Sequence, residues 1–377
     1  MSGAGVSLHP IFMGVCMALQ LARLALVPGR RVASMPYYSA IRNISDTASR
    51  KRTVAGLKRL RAALAAEVPA RTATDTLLLA TWNLREFDSG KYGYRPAECY
   101  YYIAEILSRF DLIAIQEVRD GLYPLQQLVR LLGSWWSFLV TDVTLGQSGN
   151  AERMAYLYDR RKVDFTGLAA ELVLPGRRGE APLQLARSPY VAGFHAGWAY
   201  LTLATAHIYY GRGVPDDPRR LAEITALCKT LSANAAKFSS APQYEPGLKP
   251  GAGNLIVLGD FNIFNREDVT MQAMTKAGFA VPAELQHIPG SNVAKDKHYD
   301  QIAYYQSLNG LRPTGHAGVF DFFEHVYRLQ DESAYDRERA VSSSRTYADW
   351  RSYRMSDHLP MWIEFNIDDG GAYLDSL

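Results

Sequence analysis

Short apolar runs of β-type composition follow one another from residue 76 to residue 367, and several are apolar on both faces, as in buried strands. These runs lie at 76–83, 111–118, 135–143, 154–160, 162–168, 196–208, 254–261, 300–305 and 359–367. Helical spacing of apolar residues predicts helices over 97–110 and 217–238, whereas the long polar stretch 328–354 is typical of a mobile segment. Many strands with few helices predict an α/β sandwich of four layers, in which two packed mixed or antiparallel sheets are flanked by helices.

The first 34 residues differ from this pattern. Their apolar stretch is interrupted by Gln20 and Arg23 and is too short for a membrane span. Because it lacks a basic segment before the apolar part, it is also a poor signal peptide. Two interpretations stay open, a weak export signal or a start codon placed too early, with Met35 as the true beginning. The poor signal favours a cytoplasmic location over export.

Residues 35–75 form an arm that precedes the main domain, residues 76–367, and residues 368–377 form a C-terminal tail. Within the arm, apolar residues at helical spacing predict an amphipathic helix over 46–68, with Ser45 as its N-cap. The opposite face of this helix is basic. We favour the interpretation that this basic face is exposed to solvent on a helix packed against the domain, over the interpretation that it contacts polyphosphate.

Composition sets broad limits on the function. The chain has 377 residues, 48% hydrophobic content and a formal net charge of +3, which suits a globular protein and allows a polyanionic substrate without requiring one. Its three cysteines are widely scattered, which argues against a secreted fold held by disulfides. We expect a monomer with no stable protein partner and no transmembrane segment.

Polar side chains suited to metal binding or proton transfer lie at six predicted strand ends. They are Asn83, Glu117, His207, Asp260 with Asn262, Asp300, and Asp357 with His358. Each of these residues alone is typical of a cap or a turn. Rigid strand ends are also where scaffolds hold catalytic groups, so their recurrence indicates one shared site.

Attack of water on a phosphate ester is the chemistry that this set suits. A hard cation such as Mg²⁺ binds one or two carboxylates and keeps its waters, which fits Glu117 and Asp357. Two histidines, each oriented by a carboxylate, can act as general base and general acid. Three arginines near the strand ends offer forked donors for phosphate, namely Arg85, Arg119 and Arg187. No Walker-type loop and no nucleophile elbow occur in the sequence, which disfavours covalent catalysis.

Four motifs in the order TWNL, QEV, GDFN and SDHLP, spread over residues 81–360, resemble the endonuclease/exonuclease/phosphatase superfamily. Further segments are similar to deoxyribonuclease I, namely WNLREF, IQEVRD, ERMAYLYDRRKV and ARSP. The resemblance covers residues 76–367 and implies a deoxyribonuclease I-like fold and a divalent metal, Mg²⁺, with Mn²⁺ and Ca²⁺ as alternatives. The chain departs from that enzyme at Asn150, where a tyrosine is usual, in the loop after His207, and in lacking its disulfide cysteines.

The resemblance also implies a role for each site residue. Glu117 would hold the metal, with Asn83 and Asp357 close to it. The residues implied to contact phosphate are Asn83, Arg85, Arg119 and Arg187.

Two carboxylate–histidine pairs would lie on either side of the scissile phosphate, Glu152 with His207 and Asp300 with His358. Asp260 and Asn262 would position the water and a phosphoryl oxygen. Because side chains alternate along a strand, we expect both of the latter on one side, with Phe261 pointing into the core.

Three functions follow in decreasing weight. The first is a metal-dependent endonuclease that cuts DNA, bound mainly through its phosphates and with little sequence preference. The second is a phosphodiesterase or phosphatase of the same superfamily that acts on a lipid headgroup, an inositol phosphate or a nucleotide. The third is a binding protein that has lost catalysis, and it is disfavoured because both histidines and all their partners are present.

Overall fold

The computed structural model describes residues 36–144, 149–174, 184–238, 253–340 and 346–377. The predicted leader, residues 1–34, lies outside these described residues. The strands are β1 (Thr76–Phe87), β2 (Leu112–Val118), β3 (Trp136–Val140), β4 (Arg153–Asp159), β5 (Asp164–Glu171), β6 (Tyr190–Ala196), β7 (Ala199–His207), β8 (Asn254–Asp260), β9 (Phe279–Ala280), β10 (Asp300–Tyr305), β11 (Arg312–Val319) and β12 (Met361–Asn366). The α-helices are α1 (Thr47–Glu67), α2 (Ala97–Leu107), α3 (Tyr123–Leu132), α4 (Pro218–Ala233), α5 (Val269–Lys276), α6 (Asp336–Arg339), α7 (Tyr347–Arg354) and α8 (Gly370–Asp375). Short 3₁₀ helices lie at Tyr38–Asn43, Gly90–Tyr92, Ala235–Phe238, Ala283–Leu285, Phe322–Glu324 and Leu329–Tyr335.

Two six-stranded sheets form the centre of the molecule, in the orders β11-β12-β1-β2-β4-β3 and β5-β6-β7-β8-β10-β9. Each sheet has one parallel pair in its middle, β1 with β2 and β7 with β8, and its other neighbouring strands are antiparallel. Because parallel strands end at the same edge, the last residues of these pairs come together. Asn83 lies level with Gln116, and His207 lies level with Asp260.

Apolar clusters separate the layers. Leu79, Leu203 and Ile363 belong to the cluster between the two sheets. A second cluster joins the first sheet to α1, α2 and α3, and a third joins the second sheet to α4 and α5. The predicted four-layered sandwich, helices on each side of two mixed sheets, is therefore confirmed.

Helix α1 packs as part of this sandwich. Its buried residues Leu57, Leu60 and Leu64 lie in the same cluster as Trp82 of β1. The predicted Ser45 cap was wrong by one residue, because the Asp46 carboxylate accepts the Ser49 backbone N–H at 2.6 Å.

The basic face of α1 is partly used inside the protein. Arg52 forms ion pairs with Glu98 at 3.1 Å and with Glu338 at 2.9 Å. Arg59 donates to the His325 carbonyl at 2.9 Å. These contacts tie the arm to residues far along the chain.

Some elements differ from the sequence prediction. The run 196–208 begins in a hairpin turn, in which Gly197 has a φ of +57°, so the strand itself starts only at Ala199. The polar stretch 328–354 was wrongly read as mobile where it is described. It contains α6 and α7, because Tyr335, Tyr347 and Trp350 are buried in the core among its polar residues.

No helix within the described ranges is both long enough and apolar enough to cross a membrane.

Candidate active site

The strand ends of both sheets surround one cavity of about 650 Å³. Nine of the residues predicted from the sequence line it: Arg85, Glu117, Glu152, Arg187, His207, Asp260, Asn262, Asp357 and His358. The other three, Asn83, Arg119 and Asp300, contact these lining residues from behind. The structure thus brings the whole predicted set to one place.

Each histidine of the cavity is held by a buried carboxylate. His207 Nδ1 lies 2.8 Å from Glu152 Oε2, and His358 Nδ1 lies 2.7 Å from Asp300 Oδ2. The Ser291 hydroxyl donates to the same Asp300 oxygen at 2.6 Å and fixes its direction. Both imidazoles therefore present Nε2 toward the cavity.

Asp260 lies between the two imidazoles. Its Oδ2 is 3.4 Å from His207 Nε2 and 3.6 Å from His358 Nε2. Burial lowers the pKa of His358, but Asp300 and Asp260 outweigh burial and hold that pKa well above its ordinary value. Burial and Arg187 lower the pKa of His207, and here Glu152 and Asp260 raise it by more.

The chain turns sharply after Asp260. Strand β8 ends at this residue, and Asn262 has a left-handed φ of +52° with its N–H donating to Asp260 Oδ1 at 2.9 Å. Alternation along the strand was therefore the wrong reason for placing both side chains on one side, since an Asx-type turn does so. Phe261 is fully buried beneath the second sheet, as predicted.

Asn262 is held firmly in this turn. Its side-chain nitrogen donates to the Ile208 carbonyl at 2.8 Å, just beyond the end of β7. Asn262 lines the cavity, where its side-chain oxygen can accept a hydrogen bond from a ligand.

Glu117 occupies a bulge at the end of β2, where its φ is +59° and the strand pairing shifts register. Its Oε1 accepts from Asn83 Nδ2 at 2.8 Å, and its Oε2 accepts the Glu86 N–H at 2.7 Å. Burial, followed by repulsion from Glu152, raises the pKa of Glu117.

The donor set fits a divalent cation. Glu117, Glu152 and His207 can each offer one ligand atom, and these atoms lie within 4.8 Å of one another. Glu86 Oε2 is buried without a hydrogen-bond partner among the described residues. The Glu117 and Glu152 carboxylates repel one another, and a hard cation such as Mg²⁺ relieves that repulsion.

Asp357, the other predicted metal ligand, is 43% exposed at the cavity edge. Its Oδ2 lies 3.3 Å from Arg85 Nε, so it is paired with an arginine in this structure.

The three predicted phosphate arginines all contact carboxylates. Arg187 makes two bonds to Glu152, of 2.7 and 3.1 Å. Arg119 Nη1 lies 3.4 Å from Glu86 Oε2. Burial raises the pKa of Glu152, but His207 and Arg187 outweigh it and lower that pKa to about 2.

Both polar side-chain atoms of Asn83 form hydrogen bonds with neighbouring residues. Its nitrogen donates to Glu117 at 2.8 Å and to Asp260 at 3.0 Å, and its oxygen accepts the Arg85 N–H at 2.9 Å. This arrangement suits positioning of the two carboxylates better than direct contact with phosphate.

Sequence reasoning missed several lining residues, namely Glu86, Tyr92, Tyr210, Asn292, Tyr299 and Tyr353. Two of them had a local signal, because Glu86 follows Arg85 and Tyr299 precedes Asp300. The others lie in loops or in α7, where no strand end points to them.

The chain is similar in sequence to a known deoxyribonuclease. No family model matches the chain. A deoxyribonuclease from Thioalkalivibrio sp. (strain K90mix) is 29% identical over 303 residues, which cover 77% of this chain and 71% of that protein.

Solved structures show the same fold. An endonuclease/exonuclease/phosphatase family protein from Bacteroides thetaiotaomicron matches with a TM-score of 0.51 and 16% identity, over 78% of this chain and 98% of its own. Humanized D. rerio TDP2 matches with a TM-score of 0.50 and 15% identity, over 77% of this chain and 99% of its own. These likenesses confirm the predicted resemblance to the endonuclease/exonuclease/phosphatase superfamily, and the chain has the deoxyribonuclease I-like fold.

Proposed function

We propose that this protein is a divalent-metal-dependent phosphodiester hydrolase that cuts DNA internally. The arrangement of Asp260 between two carboxylate-backed histidines carries the proposal. Hydrolysis of a phosphodiester needs one group that takes a proton from water and one that gives a proton to the leaving oxygen. Two imidazoles facing one carboxylate provide both.

In this proposal His207 and His358 move the protons through their Nε2 atoms. Glu152 and Asp300 keep each ring in the required tautomer through Nδ1, as second groups do for catalytic histidines. Asp260 orients the attacking water, and the side-chain oxygen of Asn262 faces the same space.

A divalent cation bound at Glu117 would neutralise the charge that develops on the phosphoryl oxygens. Asn83 and the Glu86 N–H hold both oxygens of Glu117 in place for it. Asp357 lines the same cavity. Mg²⁺ is our proposal for this ion because every oxygen donor here is hard.

Arginines would hold the substrate. Arg187 lines the cavity and presents a planar fork that matches a phosphate as well as it matches Glu152. Arg119 Nη1 lies 4.0 Å from the same glutamate and 3.4 Å from Glu86. A phosphate that enters the cavity meets Arg187, and Arg119 adds positive charge behind it. The 29% identity to a deoxyribonuclease supports DNA as the polymer that carries it.

Nicking of a covalently closed plasmid tests this proposal, because a closed circle has no ends for an exonuclease. The full chain is incubated with supercoiled DNA and Mg²⁺, with and without chelator, beside the His207→Ala variant. We expect nicking that the chelator stops and the variant lacks. Intact plasmid after incubation with folded protein in Mg²⁺ or Mn²⁺ would reject DNA cleavage and direct the search to small phosphodiesters.

A further inference from the structure

An aromatic stack lies at the edge of the cavity. Tyr92, at the end of the Gly90–Tyr92 turn, and Tyr353 of α7 have ring centroids 3.8 Å apart and planes 11° apart. The Arg85 guanidinium lies 3.8 Å from the Tyr353 centroid. Two groups so close to one ring centre must cover its opposite faces, so the order is Arg85, Tyr353, Tyr92.

The outer face of Tyr92 is the end of this stack, and the Lys91 side chain lies over it. Tyr353 covers its inner face, and the Lys91 ammonium, 5.0 Å from the Tyr92 centroid, is the cation near the ring. Lys91 is exposed, so it can move aside or pair with a phosphate. A flat group that enters the cavity can reach this face when the Lys91 side chain moves aside.

Two buried arginines hold the stack rigid. Arg354 donates to the carbonyls of Tyr92 at 3.0 Å and of Gly93 and Tyr94 at 2.9 Å. Arg95 Nε donates to the Arg354 carbonyl at 2.9 Å. The turn and the end of α7 are thus locked together, which orders Tyr92 before any ligand arrives and lowers the entropy that binding costs.

The stack starts beside the catalytic groups. Arg85 Nε lies 3.3 Å from Asp357 Oδ2, and His358 follows Asp357 in the chain. Arg85, Tyr92, Tyr353 and His358 all line the same cavity. A nucleotide whose phosphate lies at His358 has its base within reach of the stack.

We infer that Tyr92 and Tyr353, backed by Arg85, form a stacking platform for one nucleobase beside the scissile phosphate, and that the favoured DNA is therefore unpaired. In a duplex, the faces of each base are covered by its neighbours and only the edges are open in the grooves. A protein ring can stack only on a base that has left the helix or was never paired. The inference rests on the proposed function and names its substrate class.

A second aromatic group supports the same interpretation. Tyr299 lies 5.6 Å from the His358 ring, and Tyr210, which is 45% exposed, lies 6.1 Å from Tyr299 in an edge-to-face arrangement. Both line the cavity. Aromatic side chains thus flank His358 as well as Arg85, as stacking surfaces do along single-stranded DNA.

Strands with and without bases test the platform. Oligothymidylate and a strand of abasic residues of equal length carry the same phosphates, so the ratio of their kcat/KM values isolates the bases. We expect wild-type protein to favour oligothymidylate and to cut it faster than the matched duplex. Tyr92→Ala should lower the ratio about tenfold, mainly through KM, because one stacking contact is removed.

Matched variants separate stacking from folding. Tyr92→Trp keeps a ring face and should keep the ratio, whereas Tyr92→Leu keeps bulk and should lose it. Tyr373→Ala removes an exposed tyrosine of α8 that does not line the cavity and should behave as wild type. Melting temperatures close to wild type confirm that each variant is folded.

An unchanged ratio in both Tyr92→Ala and Tyr92→Leu, or duplex cut as fast as single strand by the wild type, overturns the platform. Anisotropy of labelled strands, measured with chelator present, distinguishes this failure from failure of the proposed function. Preferential binding of oligothymidylate that depends on Tyr92, without cleavage in Mg²⁺ or Mn²⁺, rejects the hydrolase and keeps the platform. Equal binding of both strands rejects the platform whether or not cleavage occurs.

Discussion

The same two strands, β2 and β4, carry buried charges at both ends, and the two ends are built differently. At one end lies a set that we call the balanced cluster, formed by Arg71, Asp111, Asp159, Arg161 and Lys162. At the other end lies the cavity cluster, formed by Glu86, Glu117, Glu152, His207 and Asp260. Strands β2 and β4 are antiparallel, so each end receives one residue from near the start of one strand and one from near the end of the other.

Each charged side chain of the balanced cluster is paired with an opposite charge of the same cluster. Arg71 bridges Asp111 and Asp159, each at 2.6 Å, and Lys162 adds a bond of 2.8 Å to Asp111. Burial raises the pKa of Asp159, but Arg161 and Arg71 outweigh burial and lower it. Nothing further is needed to hold these charges in the interior.

The cavity cluster does not satisfy itself. Glu117 has a raised pKa, and among the described residues Glu86 Oε2 has no hydrogen-bond partner, although Arg119 Nη1 lies 3.4 Å away as an ion-pair partner. Such groups are costly unless a ligand completes them. The comparison teaches that the charges of the balanced cluster are paired within the chain and serve the fold, whereas the excess of carboxylates in the cavity cluster is what the proposed cation would neutralise.

Loss of either imidazole should have the largest effect. We expect His207→Ala and His358→Ala each to reduce kcat on plasmid DNA by about 10²- to 10⁴-fold, the range for removal of a general acid or base. The melting temperature should fall but the fold should be retained, because each ring pairs with a buried carboxylate; kcat is therefore measured below the melting transition of each variant. His316→Ala removes a histidine that is 63% exposed on β11 and should keep full activity. Turnover near wild type in either cavity variant would contradict the two-histidine mechanism.

A substitution in the balanced cluster should lower stability and leave kcat unchanged. Asp111→Asn leaves Arg71 and Lys162 short of their partner, and we expect a loss of about 3–5 kcal/mol in the free energy of unfolding. The kcat of the folded fraction should be close to wild type. Denaturant unfolding measures the first and plasmid nicking the second.

A surface pair supplies the control for that prediction. Asp142 is 89% exposed beside Arg153, so Asp142→Asn should cost less than about 1 kcal/mol. A similar cost for both variants would show that the balanced cluster is not a structural anchor.

Replacing Glu117 should change stability in the opposite direction from replacing Asp111. A raised pKa means that the protonated carboxyl stabilises the fold below pH 4.5, and that this contribution is lost as the pH rises through the raised value. Glu117→Gln has no such titration. In chelator at pH 7 it should therefore melt at or above the wild-type temperature, and its advantage should shrink as the pH falls. A variant that melts well below wild type at pH 7 would place Glu117 with the structural charges.

Arg187 should give the smallest effect. Replacing it with Ala removes one phosphate contact in our proposal, so the slope of log Kd against log salt for DNA should fall by about one. Arg160→Ala, at an exposed position after β4 at the opposite end from the cavity, should leave the slope unchanged. An unaltered slope in Arg187→Ala would show that this arginine serves Glu152 alone.

The sequence allowed much of this site to be predicted because its groups follow apolar runs that are easy to recognise. Asp260 and His207 each end such a run, and parallel pairing brings them level. Glu152 lies outside such a run and was found only through the resemblance to deoxyribonuclease I.

Other features could not be read from the chain. The Tyr92–Tyr353 stack joins a turn to a helix that lies in a polar stretch, and neither has a periodic signal. The balanced cluster joins the arm to two strands, so Arg71 gives no local sign of its partners. Contacts between distant segments depend on the packing of the layers, which spacing along the sequence does not contain.

Binding of Mn²⁺ tests the central claim most directly, because the ion reports on the cavity cluster without any substrate. Paramagnetic resonance of free Mn²⁺ is measured during titration of the full chain, for wild type, for Glu117→Gln and for Glu267→Gln, which changes an exposed glutamate. We predict one bound ion in wild type and Glu267→Gln, and binding at least about tenfold weaker in Glu117→Gln. Equal affinity in all three proteins, or no binding in any of them, would contradict the account of the cavity cluster as a cation site.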